Sequence, residues 1–223
     1  NGKLSVAQPG TLAVTKELQL PDGYNAADFA NEEFDFTVTV PDAANSVLKA
    51  EVKNAAGEVV ASSFDLAFDA NGEARQSLKS GEMLYVYGIA DGAAYKVSET
   101  QRAGFTQAEQ AGLEGTVSAG ETTEAKVVNA YAATGMLNGA TALAGEKVLT
   151  GRSWLSGDEF AFKLVNANSA VAAPMPDDGV VIKKASQPEG TSDGTPASFN
   201  FGNITYTQPG IYVYEIHESA TDS

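Results

Sequence analysis

Leu12-Ala13-Val14-Thr15-Lys16-Glu17-Leu18 is the stretch whose reading decides the fold class. Successive side chains of a strand point to opposite faces. Leu12, Val14 and Leu18 then share one face, and Thr15 and Glu17 take the other. The one charged residue on the apolar face is Lys16. Comparable short runs rich in Val, Thr, Phe and Tyr recur at 34–40, 59–66, 83–88, 95–99, 125–131, 143–149, 160–165, 180–183, 199–201 and 211–218. Gly, Asp, Asn and Pro separate them, as turn residues do. The expectation is an all-β chain of antiparallel sandwiches. Helix signals are weak, and only 103–113 is expected to hold a short helical turn.

The chain reads as two copies of one plan. Each opens with an apolar strand carrying a lysine, Leu12 to Lys16 and Glu146 to Leu149. A Phe-x-Phe strand follows, Phe34-Asp35-Phe36 and Phe160-Ala161-Phe162. A tyrosine strand ending in glutamate comes later, Tyr95 to Glu99 and Tyr214 to Glu218. Between the copies, Ala132 to Gly139 is small and uncharged, as a linker is. The expected boundaries are an N-terminal extension at 1–10, a first sandwich at 11–133, a linker at 134–139 and a second sandwich at 140–223.

Composition narrows the function. Hydrophobic residues at 43% and charged residues at 19% supply enough apolar surface for buried cores. Acidic residues outnumber basic ones 29 to 14, for a net charge of −15. That argues against a binder of phosphate backbones, which depends on Lys and Arg, and against a peripheral anchor on anionic lipid. The absence of cysteine removes disulfides, thiol nucleophiles and thiolate metal sites together. No apolar run reaches the ~18 residues of a membrane span, and no signal peptide is visible.

Three polar side chains aim at the expected core of the first copy. Lys16 sits on the apolar face of its strand. Glu99 shares a face with Tyr95 and Val97. Asn129 shares a face with Ala125, Val127 and Tyr131. Each alone has an ordinary explanation: a snorkelling lysine, a glutamate at a strand end, a hydrogen-bonded asparagine. Together they are harder to explain, because a buried ammonium is costly and one carboxylate only partly offsets its desolvation. A chemical solution exists. The lysine amine attacks the asparagine amide, ammonia leaves, and the product is a neutral isopeptide. Burial lowers a lysine pKa and raises a carboxylic one, so the neutral amine and the neutral acid become reachable. A protonated glutamate then donates to the asparagine carbonyl and shuttles protons. In the second copy, Lys147 and Glu218 repeat the pair, and alternation selects Glu218 over Glu215. No asparagine acceptor follows Glu218, so this second site is expected to be incomplete, and the second copy to stop before its final strands.

These residues carry a resemblance to the shaft pilins and stalk proteins of Gram-positive surfaces. The first copy, with Leu12 to Lys16, Tyr95-x-Val97-x-Glu99 and Val127-Val128-Asn129, resembles a CnaB-type domain. The second, with Lys147 to Arg152, Phe160 to Phe162 and Gly210 to Glu218, resembles the FctA-type pilin domain. The resemblance implies tandem Ig-like β-sandwiches on a cell-wall-anchored or pilus protein outside the cell. It implies a Lys16–Asn129 isopeptide assisted by Glu99, formed once per molecule without enzyme turnover. It implies partnership with a sortase and with a neighbouring pilin or the cell wall, and no metal, cofactor or nucleic acid. No sorting signal or pilin-motif lysine is recognisable.

The alternative is a ligand-binding adhesin module for a host glycan or matrix protein, with Trp154, the only tryptophan, as a stacking residue; core packing is the simpler role for it. A hydrolase is the weakest alternative. His217, the only histidine, falls on the outer face of its strand, and no nucleophile or zinc motif accompanies it. Asp69-Ala70-Asn71-Gly72-Glu73 is better read as a hairpin turn than as a calcium loop.

Overall fold

A computed structural model describes residues 8–167, 172–189 and 192–219. The chain is all-β and divides into two compact units, Asn1–Ala132 and Ala133–Ser223. The first unit contains β1 (Gly10–Gln19), β2 (Glu33–Thr39), β3 (Val47–Asn54), β4 (Val59–Ala67) and β5 (Glu73–Lys79). It continues with β6 (Glu82–Ile89), β7 (Ala94–Glu99), β8 (Phe105–Ala111), β9 (Glu114–Thr116) and β10 (Thr122–Tyr131). One sheet has the order β4-β3-β6-β1-β10-β8, the other β5-β2-β7-β9.

Alternation explains the layering. Leu12 and Val14 of β1, Leu84 and Val86 of β6 and Ala125 and Val127 of β10 are buried from the six-stranded sheet. Phe34, Phe36 and Val38 of β2 and Tyr95 and Val97 of β7 meet them from the four-stranded sheet in one continuous core. The first and last strands of the unit, β1 and β10, are neighbours and run parallel. Lys16 stands opposite Val127, and Leu18 opposite Asn129. This pair is the exception to the antiparallel ladders expected of the sandwich.

Residues 103–113, expected as a helical turn, instead contain β8. Its Ala, Gln and Glu residues favour helix, but β10 offers a free edge and only Phe105 of the strand is buried. Pairing overrides propensity there. The turn at residues 69–73 closes a hairpin: Asp69 Oδ1 accepts from the backbone N–H groups of Asn71 at 2.8 Å and Glu73 at 2.9 Å. Gly72, at φ 74° with Val40 O only 2.4 Å from where a Cβ would lie, admits no side chain.

The second unit contains β11 (Gly135–Leu137), a short helix α1 (Gly139–Ala142), β12 (Ala144–Val148), β13 (Glu159–Asn166), β14 (Ile182–Ser186), β15 (Pro196–Asn200), β16 (Ile204–Tyr206) and β17 (Tyr214–Ser219). Residues 134–139, expected as a linker, carry β11, which pairs with β16. Asn138 caps α1 by accepting from the Ala140 N–H at 3.1 Å. β12 pairs with β15, and β13 lies between β14 and β17. Trp154, Phe162, Leu164, Phe199, Phe201 and Ile204 anchor the core of this unit. No helix among the described residues is long and apolar enough to cross a membrane.

Candidate functional site

Three elements of the first unit deliver the three polar groups to one place. Lys16 is 0% exposed and Asn129 2%, and the Glu99 side chain is buried as well. They come from β1 and β10, two positions apart in register and therefore on one face. Glu99 ends β7 and reaches across from the opposite sheet. Its position is set by β2, where Phe36 is its cross-strand partner. A bulge in the β10–β8 pairing falls between Val128 and Asn129, the kind of irregularity that re-aims a side chain beside a site.

The geometry is tight. Lys16 Nζ lies 2.9 Å from Glu99 Oε2, and both side chains are 0% exposed. Asn129 Nδ2 donates to Glu99 Oε1 at 2.5 Å. One carboxylate thus touches the amine with one oxygen and the amide nitrogen with the other. The Lys16–Glu99 contact has the distance of an ion pair but not the alignment of a hydrogen bond. Lys16 Nζ, Glu99 Oε2 and Asn129 Oδ1 are all buried without a hydrogen-bond partner. Unpartnered buried polar atoms are rare in folded proteins and call for an explanation. Burial pushes the Lys16 ammonium below the ordinary lysine range, with Glu99 beside it working in the opposite direction.

The amide orientation differs from the sequence expectation that Glu99 donates to the asparagine carbonyl. Asn129 turns its Nδ2 to Glu99, and the carboxyl oxygen Oε1 accepts from it. This places the Cγ–Nδ2 bond of Asn129 next to the Glu99 carboxylate.

Sequence reasoning overlooked the ring beneath the lysine. Lys16 Nζ lies 4.1 Å from the centroid of Phe34, which forms a T-shaped pair with Phe105. The signal was the recurrent Phe-x-Phe, read only as a strand marker.

In the second unit, Lys147 Nζ lies 2.8 and 3.0 Å from the two carboxylate oxygens of Glu218 and 4.5 Å from the centroid of Phe160. Here the side chains are 21% and 44% exposed. The structure brings the pair together, but as a half-solvated salt bridge. Glu215 turns away and pairs with exposed His217 at 2.9 Å. Trp154 is buried, donates to Thr195 O at 2.8 Å and packs edge-on against Phe160. It offers no surface for stacking a ligand. Among the described residues, no cluster of His, Cys, Asp and Glu suits a metal ion.

Two family models match the chain. Residues 10–131 match a domain of unknown function, DUF7601, and the chain belongs to that family. Residues 143–222 match FctA, described as a Spy0128-like isopeptide containing domain. The pilin resemblance of the second half therefore stands. Similar solved structures include the pilus-presented adhesin Spy0125 (Cpa), at 18% identity and TM-score 0.42 over 58% of this chain and 28% of that one. The major pilin from Streptococcus pyogenes is similar at 17% identity and TM-score 0.40, over 55% and 48%. The T3.2 major pilin of the same species is similar at 19% and 0.40, over 55% and 45%. The chain thus spans between about a quarter and a half of these proteins. No curated protein matches it.

Proposed function

We propose that this chain is a structural segment of a surface stalk or pilus shaft, and that its first unit closes an intramolecular Lys16–Asn129 isopeptide bond with Glu99 as proton carrier. The observation that carries the reading is the convergence of three buried polar groups whose remaining atoms are unpaired. Left unreacted, they are a standing cost to the fold. Reacted, they become a neutral amide.

The steps follow from the contacts. Glu99 Oε2 takes a proton from Lys16, leaving a neutral amine beside a neutral acid. The amine nitrogen attacks Asn129 Cγ, forming the new C–N bond and a tetrahedral centre. The carboxyl group turns its protonated oxygen to Nδ2 and delivers that proton to the leaving nitrogen, and the carboxylate so formed then takes a proton from the attacking nitrogen. The Cγ–Nδ2 bond breaks and ammonia departs. The one proton left over stays on Glu99, which ends neutral beside a neutral amide. The sandwich contributes position: reactants held in contact gain the advantage of an intramolecular reaction. The event occurs once per molecule and is maturation, not turnover.

The FctA match supports export to a cell surface and assembly with like subunits. Sortase attachment, joining to a neighbouring pilin or the cell wall, and a host ligand belong to the same proposal. Intact mass under denaturing conditions tests the bond. A deficit of one ammonia, with peptide mapping that joins Lys16 to Asn129, is the expected result. A mass equal to the sequence value would remove the cross-link from the reading.

A further inference from the structure

The lysine and glutamate of each unit are arranged on the same part of a Phe-x-Phe strand. In the first unit the Lys16 ammonium lies over Phe34, and Glu99 is the cross-strand partner of Phe36. In the second, the Lys147 ammonium lies over Phe160, and Glu218 is the partner of Phe162. One phenylalanine faces the amine, and the next but one, on the same face of the strand, is paired with the carboxylate. Two units with different burial keep the same placement, so packing density alone does not account for it.

We propose that Phe34 is a positioning residue for bond formation, its ring face holding the Lys16 amine over Glu99 and Asn129, and that Phe160 holds Lys147 in the same way. The inference rests on the isopeptide reading of the first unit. The physical basis is the negative face of the ring, which attracts a cation most strongly where water is excluded. The lysine stem has several rotatable bonds, and burial alone does not choose among its rotamers. Phe34 meets Phe105 in a T-shaped contact, and its ring also carries the Arg102 guanidinium, always charged, 5.7 Å from the centroid. An ammonium drawn to that ring is confined to a small region 2.9 Å from Glu99 Oε2. The same attraction favours the charged amine. Phe34 therefore trades some amine acidity for position, and the proton transfer to Glu99 becomes the gate of the reaction.

The test replaces Phe34 with cyclohexylalanine, which keeps shape and apolarity and removes the π face. The full chain is made by cell-free synthesis and chased over a range of pH, with loss of ammonia followed by intact mass. The expected result is slower bond formation, with the amine-controlled limb of the rate–pH profile moved down by roughly one and a half pH units, the size of a desolvated cation–π contact. Pentafluorophenylalanine keeps a flat ring and reverses its charge pattern. It should slow the reaction further and move the limb the same way. It also covers the case in which the cyclohexyl variant fails to fold. A rate and pH profile equal to wild type in either folded variant would overturn the positioning role. Absence of any ammonia loss in the wild-type chain would instead overturn the bond-forming reading itself.

Discussion

Consider a pull on the two ends of the first unit. Force enters β1 from its start at Gly10 and leaves β10 at Tyr131. These strands are parallel neighbours, so an unbonded unit is loaded in shear along the β1–β10 ladder. With an isopeptide between Lys16 and Asn129, the covalent path runs from β1 through the side chains into β10. Residues 17–128 then lie outside the load path. The Asn129→Ala variant removes the acceptor and returns them to it. Roughly 110 residues at about 3.3–3.6 Å each would add about 360–400 Å of contour length on unfolding. Single-molecule force spectroscopy on the full chain reads this directly. Wild type should show no event of that length, and Asn129→Ala should show one per molecule. A wild-type trace with the full extension would refute the cross-link and the load-path argument together.

Other expectations concern stability and titration. Glu99→Ala should leave the unit folded, without ammonia loss. Treated as closure of a loop of ~100 residues, the missing bond would cost about 4–5 kcal/mol, which lowers the first unit's Tm by on the order of 10–20 °C in calorimetry. Equal melting and full cross-linking would remove Glu99 from its role. In Asn129→Ala, Lys16 remains a free amine whose pKa burial holds below the ordinary value of 10.5. The unfolded chain then binds more protons than the folded one as pH approaches that value, so stability should rise with pH across that window. The double variant Asn129→Ala/Lys16→Met should lose this slope in denaturant titrations, and an unchanged slope would contradict it. Lys147→Met should leave the mass deficit of this chain unaltered. Its pair is partly exposed, so stability should change by less than about 1 kcal/mol.

Period-2 alternation made much of this site legible. It placed Lys16, Glu99 and Asn129 on core-facing positions because each shares a face with buried apolar neighbours. What alternation cannot give is strand adjacency. That β1 lies beside β10, and that Glu99 arrives from the opposite sheet, follows from pairing across more than a hundred residues. Strands with few buried residues escaped notice for the same reason. In β5, Ala74 and Leu78 are buried in an otherwise polar run, and β8 buries Phe105 alone. Their partners create these strands, and no local pattern announces them. The role of Phe34 was invisible because a phenylalanine on a core face already has a sufficient explanation.

The two units isolate what turns a salt bridge into a reaction site. Both hold a lysine over a phenylalanine and against a glutamate, at 2.9 Å in the first and 2.8 Å in the second. The lysine, glutamate and aromatic ring recur, and so does the cross-strand partnership of the glutamate. Two things differ. Lys16 and Glu99 are sealed from water, whereas Lys147 and Glu218 keep 21% and 44% of their side-chain surface exposed. The first site also has an amide against the carboxylate, through Asn129. Lys147 and Glu218 stay open to solvent, which screens their charges. Burial at Lys16 raises the free energy of the charged pair, and in the proposed reaction Asn129 supplies the step that removes it. An acceptor strand beside β12 would therefore have to exclude water as well as bring an amide, and a peptide that brings only the amide should leave Lys147 unreacted.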